Sequence, residues 1–329
     1  MPQLLEIKDL MTVFDTVRGR IKAVDGVSLK IDSGETLGIV GESGCGKTIL
    51  ALSIMRLVPA SGKIINGEIL FSGNDLLKLP EEEMRTRRGS EISMIFQEPM
   101  TSLNPVFRVG EQIAEAVRLH QHFSAKQAME LSVDLLGEVG ISDPQKRARD
   151  YPHNLSGGMR QRVMIAMAMS CNPRLLLADE PTTALDVTIQ AQILDLISAL
   201  KQKNNMAVVL ITHDLGVIAQ AAQKVAVMYA GKIVENSAVA TIFANPLHPY
   251  TQGLLESIPA RCVKSLERED HLKTIPGSVP DLYNLSPGCR FYDRCSRAME
   301  VCAQKEPQLL EIEPGHFVSC WKYGGGKNN

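Results

Sequence analysis

The chain has 329 residues, with 35 basic against 37 acidic side chains and a formal net charge of −2. That balance supplies no global positive field for a polyanion, so binding nucleic acid through overall charge is excluded and only a local patch stays open. Hydrophobic residues make up 44% and aromatics 5%, so the core must be mainly aliphatic, and the length fits one large domain or two smaller ones. The first residues, Met1-Pro2-Gln3-Leu4-Leu5-Glu6-Ile7, hold no basic region followed by a long apolar run, so no signal peptide is expected. The longest apolar stretch, Val163 to Met169, is about a third of a membrane span. A soluble, cytoplasmic protein is expected; if it works at a membrane, it must dock onto another protein's helices.

Thr36 to Val40 reads as a buried strand and Ile49 to Met55 as a helix. Between them lies Gly41-Glu42-Ser43-Gly44-Cys45-Gly46-Lys47-Thr48, a glycine, four residues, then Gly-Lys-Thr. Glycines let successive backbone N–H groups turn inward around a phosphate, and the helix start adds its positive dipole end. Lys47 would reach the β- and γ-phosphates, and the Thr48 hydroxyl would help hold Mg²⁺. A chance Gly-rich turn would not come with both strand and helix in place. The chain is therefore expected to bind a nucleoside triphosphate. Cys45, beside Lys47 at a helix N-terminus, is expected to favour thiolate and react with maleimide; the alternative is a small, shielded residue.

Ile92 to Phe96 reads as a strand, followed by Gln97. Residues 97 to about 156 read as largely helical, with amphipathic runs at 113–117 and 131–136 broken by Pro105, Pro144 and Pro152. Leu155-Ser156-Gly157-Gly158-Met159-Arg160-Gln161 places a serine N-cap before a helix, a second anion-seeking helix start. Leu175 to Glu180 is an apolar run ending in two acids, the form of a buried parallel strand whose C-terminal end meets a ligand. Asp179 would bind Mg²⁺, and Glu180 would polarise the attacking water. As neighbours on a strand they would point to opposite faces. Val208 to Ile211 reads as another strand, with His213 just beyond. A final ladder runs over 224–229, turns at Gly231 and continues through 232–235.

In combination these motifs resemble the ATP-binding cassette (ABC) ATPases, whose signature is matched by Ser156-Gly157-Gly158. The resemblance implies an α/β fold: a P-loop NTPase core with a parallel sheet and an antiparallel β-subdomain, plus a helical subdomain. It divides the chain into 1–96 and 157–235 for the two halves of the ATPase core, with 97–156 as the helical subdomain that accepts a coupling helix from a membrane subunit. Gln97 resembles the Q-loop glutamine that senses Mg²⁺ and the attacking water. Ala184-Leu185-Asp186 resembles the D-loop, and His213 the switch histidine at the γ-phosphate. Taken singly, a Gln or His at a strand end is an ordinary polar residue. Phe14 either stacks on adenine or packs within the β-subdomain. Each signature serine would close on the nucleotide of a second ATPase subunit, commonly a paralogue, with an identical subunit as the alternative.

Residues 236–329 exceed what the core needs. Asn245-Pro246-Leu247-His248-Pro249-Tyr250-Thr251 and Gln97-Glu98-Pro99-Met100-Thr101-Ser102-Leu103-Asn104-Pro105 resemble the dipeptide and oligopeptide importer branch. That branch implies two integral membrane permease subunits, an extracytoplasmic peptide-binding protein, a peripheral place on the cytoplasmic face of the membrane, and no nucleic acid. Nickel chelates and other solutes use closely similar ATPases, and a soluble ABC ATPase of DNA repair or translation is the other alternative, although those normally carry two cassettes or long insertions that this chain lacks. Cys289, Cys295, Cys302 and Cys320 crowd this small, Cys-rich extension. A disulfide framework does not suit a reducing cytosol. Four converging thiolates mean a metal or cluster, and zinc usually takes tighter pairs. The resemblance favours a [4Fe–4S] cluster; zinc and unligated thiols are the alternatives. The extension is expected to fold apart from the nucleotide site, so that losing a cysteine spares ATP binding.

Overall fold

The computed structural model describes residues 3–183, 185–258 and 274–324. The chain opens with two long strands, β1 (Gln3–Thr16) and β2 (Gly19–Asp32). From Asp25 to Ile31 buried and exposed positions alternate, the mark of a strand covered on one face. β3 (Thr36–Val40) is buried at every position, as a strand covered on both faces must be. The helix Lys47–Ile54 follows, then β4 (Gly62–Phe71), β5 (Asn74–Asp75) and β6 (Ile92–Ile95). Helices Val109–Gln121 and Ala125–Glu138 contain the two predicted amphipathic runs. Helix Gly157–Met169 leads to β7 (Leu175–Asp179), helix Val187–Asn204 and β8 (Ala207–Thr212). After helix Leu215–Ala221 come β9 (Lys224–Tyr229) and β10 (Lys232–Ala238). The last strands are β11 (Leu310–Glu313) and β12 (His316–Val318).

The chain forms two compact units. One comprises residues 32–35 and 78–211. Here β7 lies between β6 and β8 in a parallel array, and all three strands are fully buried. Ala114, Val117 and Ala128 pack the paired helices, with Met129 and Leu131 against them.

The other unit holds residues 3–31, 36–77 and the described residues from 212 on. One sheet runs β2-β1-β4-β5, with β1/β4 and β4/β5 antiparallel. The second array runs β11-β12-β10-β9-β3, with β3 parallel to β9 and the remaining pairs antiparallel. The parallel sheet and antiparallel β-subdomain expected from sequence are both present. The β9–β10 hairpin turns on Ala230 and Gly231, with φ of 46° and 87°. A two-residue turn of this hand needs positive φ at both positions, and only Gly231 signals it in the sequence.

β12 pairs with β10, setting Val318 opposite Glu235. The extension thus continues the core array, and the expected boundary at 235/236 falls inside β10. Glu235, fully buried, accepts the N–H groups of Leu247 at 2.7 Å and His248 at 2.9 Å and pairs with His316 Nε2 at 2.8 Å. His248 in turn caps helix Pro249–Glu256, its Nδ1 accepting from Tyr250 N at 3.1 Å.

Burial lowers the His248 pKa from 6.5 to about 3. The unfolded chain therefore takes up a proton at this site below pH 6.5 that the folded chain refuses until near pH 3. Stability is lost as pH falls through that window, at about 1.4 kcal/mol per pH unit from this residue. His248→Asn keeps an acceptor for the cap but does not titrate. Its denaturant midpoint should fall less steeply between pH 6.5 and 4 than that of the parent. Parallel slopes would show that His248 does not carry the effect.

Candidate nucleotide site

The phosphate loop has the backbone that its glycines imply. Gly44 and Gly46 adopt φ of 79° and 106°. A Cβ on Gly41 would stand 2.1 Å from the Met228 carbonyl oxygen, and one on Gly46 2.2 Å from that of Ala23. Only glycine fits such approaches. Glu42 is half-buried and Ser43 exposed. Lys47 opens the helix, nearly fully buried, and its ammonium donates to the carbonyls of Gly41 at 2.7 Å and Glu42 at 3.0 Å. It therefore lies against the loop's own backbone, and Thr48 follows it, half-buried.

Cys45 is fully buried, and burial pushes its thiol pKa up despite the nearby Lys47 ammonium. The expected reactive thiolate is corrected accordingly: desolvation outweighs the lysine and the helix start.

In the other unit, Asp179 ends β7 with 1% exposure. Glu180 is not on the strand; its φ of 46° turns the chain left-handed directly after it. The expectation that the two acids point apart by strand alternation is thus replaced by a backbone turn. A non-glycine residue in this region is strained, a cost that recurs at functional sites. The turn is held by Glu180 N to Ile211 O at 2.9 Å and Thr183 N to Glu180 O at 3.1 Å. Thr183 Oγ1 donates to Glu180 Oε2 at 2.8 Å, and Gln97 Nε2 donates to the same oxygen at 3.3 Å. Sequence positions 97 and 180 thus meet at one carboxylate.

Ser156 caps helix Gly157–Met169 through Met159 N at 3.4 Å, a long contact that leaves the hydroxyl exposed. A Cβ on Gly158 would approach Ile189 to 3.1 Å, and one on Gly157 would reach Leu185 at 3.8 Å. Asp186 caps helix Val187–Asn204 by accepting from Ile189 N at 3.0 Å. Ala184, the first residue of the predicted D-loop, lies outside the described residues. His213 is exposed, just beyond β8. Phe14 is half-buried on β1 opposite Gly62, and a Cβ there would strike its ring at 2.7 Å. The ring thus packs across the strand pair and leaves part of its surface open.

The matches to known proteins agree with this geometry. Residues 24–183 match the ABC transporter family, and 234–302 match the family described as the oligopeptide/dipeptide transporter C-terminal region. The chain is 53% identical over 320 residues to a probable peptide ABC transporter ATP-binding protein, y4tR, of Sinorhizobium fredii, covering 97% of this chain and 95% of that one. It is 53% identical over 325 residues to the oligopeptide transport ATP-binding protein AppD of Bacillus subtilis, covering 98% of each.

The chain belongs to the ABC transporter ATP-binding family.

Among solved structures, the ABC cassette MJ0796, in a dimeric post-hydrolysis state with ADP and Pi, matches with a TM-score of 0.65 at 26% identity. It covers 72% of this chain and 99% of the cassette. The ABC ATPase fold and an ATP-hydrolysing subunit are thereby established. Among the described residues, no helix is long and apolar enough to cross a membrane.

Two residues that touch this ABC ATPase's phosphate loop are marked by no sequence motif for it. Tyr250 Oη accepts the backbone N–H of Glu42 at 2.9 Å, and Arg294 Nη1 donates to Glu42 Oε2 at 2.9 Å. Both come from the extension, so the expectation that it stands apart from the nucleotide site is corrected. The local signal was weak: Arg294 is one arginine among many, 252 residues from its partner.

Cys289, Cys295, Cys302 and Cys320 are all free thiols; Cys262 lies outside the described residues. Burial pushes Cys289 up to about 11, and the charges of Cys302, Cys320 and Cys295 add to the rise. Burial also raises Cys295 and Cys320. Four thiols therefore lie within electrostatic range of one another. Cys289 N donates to Cys302 O at 2.7 Å, and a Cβ on Gly288 would stand 2.1 Å from that same oxygen. Among the described residues, no three His, Cys, Asp or Glu side chains are placed to hold a single metal ion. An all-thiol set is the donor chemistry of either a zinc or an iron–sulfur group.

Proposed function

We propose that this ABC ATPase powers a peptide importer from the cytoplasmic face of the membrane, paired with a second, paralogous ATPase subunit and two permease subunits. An extracytoplasmic peptide-binding protein would deliver dipeptides or oligopeptides to the complex. The observation that carries this reading is one chain holding the ABC transporter match over residues 24–183 and the oligopeptide-type C-terminal region over residues 234–302. Met100, Val106 and Phe107, all strongly exposed shortly after Gln97, support docking onto apolar partner helices.

In this reading Lys47 leaves the Gly41 and Glu42 carbonyls for the β- and γ-phosphates of ATP. Thr48, Gln97 and Asp179 would hold Mg²⁺, which would supply neutralisation of phosphate charge when bound. Glu180 accepts a proton from the attacking water, its carboxylate aimed by Thr183 and Gln97. His213 contacts the γ-phosphate. The Ser156-Gly157-Gly158 helix start receives the nucleotide of the partner ATPase, and Asp186 lies along the shared interface. Phe14 offers a ring face to adenine.

Cys289, Cys295, Cys302 and Cys320 are proposed to hold a [4Fe–4S] cluster with a structural role, because the extension has little apolar core of its own. Anaerobically purified protein should be brown and carry about four iron and four sulfide per chain. One zinc per chain and no iron would remove the cluster from the account. The importer reading is tested by purifying the tagged chain from detergent-solubilised membranes. Two integral membrane permeases should co-purify in stoichiometric amounts. A chain recovered only from the soluble fraction, free of membrane proteins, would contradict it.

A further inference from the structure

The second residue of the phosphate loop is held twice by the C-terminal extension. Tyr250 Oη takes the Glu42 backbone N–H, and Arg294 takes its carboxylate. Arg294 is well placed for this. Its Nε donates to Pro276 O at 2.8 Å and its Nη1 also reaches Tyr229 Oη at 3.3 Å. Its side chain is only 7% exposed, and that of Glu42 27%. Behind it, Tyr229, Tyr250 and Phe291 form a ring cluster with centroids 4.6–5.4 Å apart. Phe291 and Arg294 both lie between Cys289 and Cys295. A second arm of the same segment, Arg290, bonds Asp25 and the Ala230 carbonyl. Lys47 rests on the carbonyls of the same segment, those of Gly41 and Glu42.

A charge-assisted bond between largely buried partners is worth more than an exposed pair, and it fixes geometry as well as energy. The loop's phosphate affinity depends on where its N–H groups point, so a group that fixes Glu42 acts on nucleotide without touching it. We propose that Arg294 and Tyr250 are positioning residues for the phosphate loop, and that the folded four-cysteine segment keeps Arg294 on Glu42, so that nucleotide affinity depends on the cysteines through this latch. The proposal rests on the reading of the cysteines as ligands and of residues 41–48 as the ATP cradle.

The test is MgATP binding by calorimetry on full-length, anaerobically prepared protein, with steady-state ATP hydrolysis alongside. Arg294→Ala, Glu42→Gln and Tyr250→Phe should each weaken MgATP about tenfold, and the Arg294→Ala/Glu42→Gln pair no further than either alone. In Arg294→Ala and Tyr250→Phe, KM for ATP should rise while kcat at saturating ATP is retained, and Arg294→Lys should recover part of the affinity. Cys302→Ser should weaken MgATP in the parent background and have no further effect in Arg294→Ala. Tyr250→Phe removes a single oxygen and keeps the ring cluster, so it separates loss of the latch from loss of the fold. Parent-like affinity in Arg294→Ala and Tyr250→Phe, or fully additive losses in the pair, would overturn the latch. Weakening by Cys302→Ser that is equal in both backgrounds would overturn its link to the cysteines. A parent protein that binds no MgATP would instead sink the nucleotide reading itself, and a parent without metal only the ligand reading.

Discussion

Glu180→Gln should bind MgATP as the parent does and hydrolyse it about a hundredfold or more slowly, the usual loss when a general base is removed. The amide keeps the size and an acceptor oxygen, so Thr183 and Gln97 can still hold the side chain. What disappears is the negative charge and the ability to take a proton from water. ATP-loaded protein should therefore accumulate as a closed dimer. Lys47→Ala should behave in the opposite way, losing nucleotide affinity before turnover can be measured, because it removes a charge that neutralises phosphate. The check is phosphate release under saturating nucleotide, with binding measured separately. Hydrolysis by Glu180→Gln at near the parent rate would show that another group serves as the base.

Glu235→Ala should cost about 3–5 kcal/mol, the range for breaking a buried, hydrogen-bonded ionisable pair. The fully buried carboxylate serves three donors at once: the N–H groups of Leu247 and His248, and His316 on β12. Without it two backbone donors and an imidazole are left in a dry interior. The loss should fall on the extension first, exposing amides around 247–258 and 316–318 to hydrogen exchange. Glu235→Gln, which keeps one acceptor oxygen, should lose clearly less. A denaturation midpoint for Glu235→Ala within about 0.5 kcal/mol of the parent would place it in the ordinary range of surface substitutions and refute this account of how the extension is anchored.

The sequence made plain what is local. Strand, glycine loop and helix are adjacent over residues 36–54, so their spacing alone carried the phosphate loop. Ser156 is legible as a cap because N-cap chemistry reads out within three residues, whereas the cap made by Asp186 is seen only in the structure. The strand from Leu175 was also legible, yet its end was not. The left-handed turn at Glu180 has no glycine to announce it, so the apolar run reads as a strand one residue longer than it is. The reactive Cys45 expected from sequence fails because sequence shows the neighbouring lysine and helix start but not the burial that opposes them. The pairing of β12 with β10 joins residues about eighty apart, and each strand is too short to show a period. Tyr250 and Arg294 were invisible for the same reason. Their partner is more than two hundred residues upstream, and nothing beside either one in sequence indicates a phosphate loop.

Peptide uptake in cells lacking this gene tests the central claim most directly. Radiolabelled di- and oligopeptides would be followed in the deletion strain, with the parent chain or Glu180→Gln supplied in trans at equal abundance. The deletion should abolish uptake of at least one peptide class, the parent chain should restore it, and Glu180→Gln should fail to do so. Peptide uptake unchanged by the deletion, or restored in full by Glu180→Gln, would contradict the assignment of this chain as the ATP-hydrolysing motor of a peptide importer.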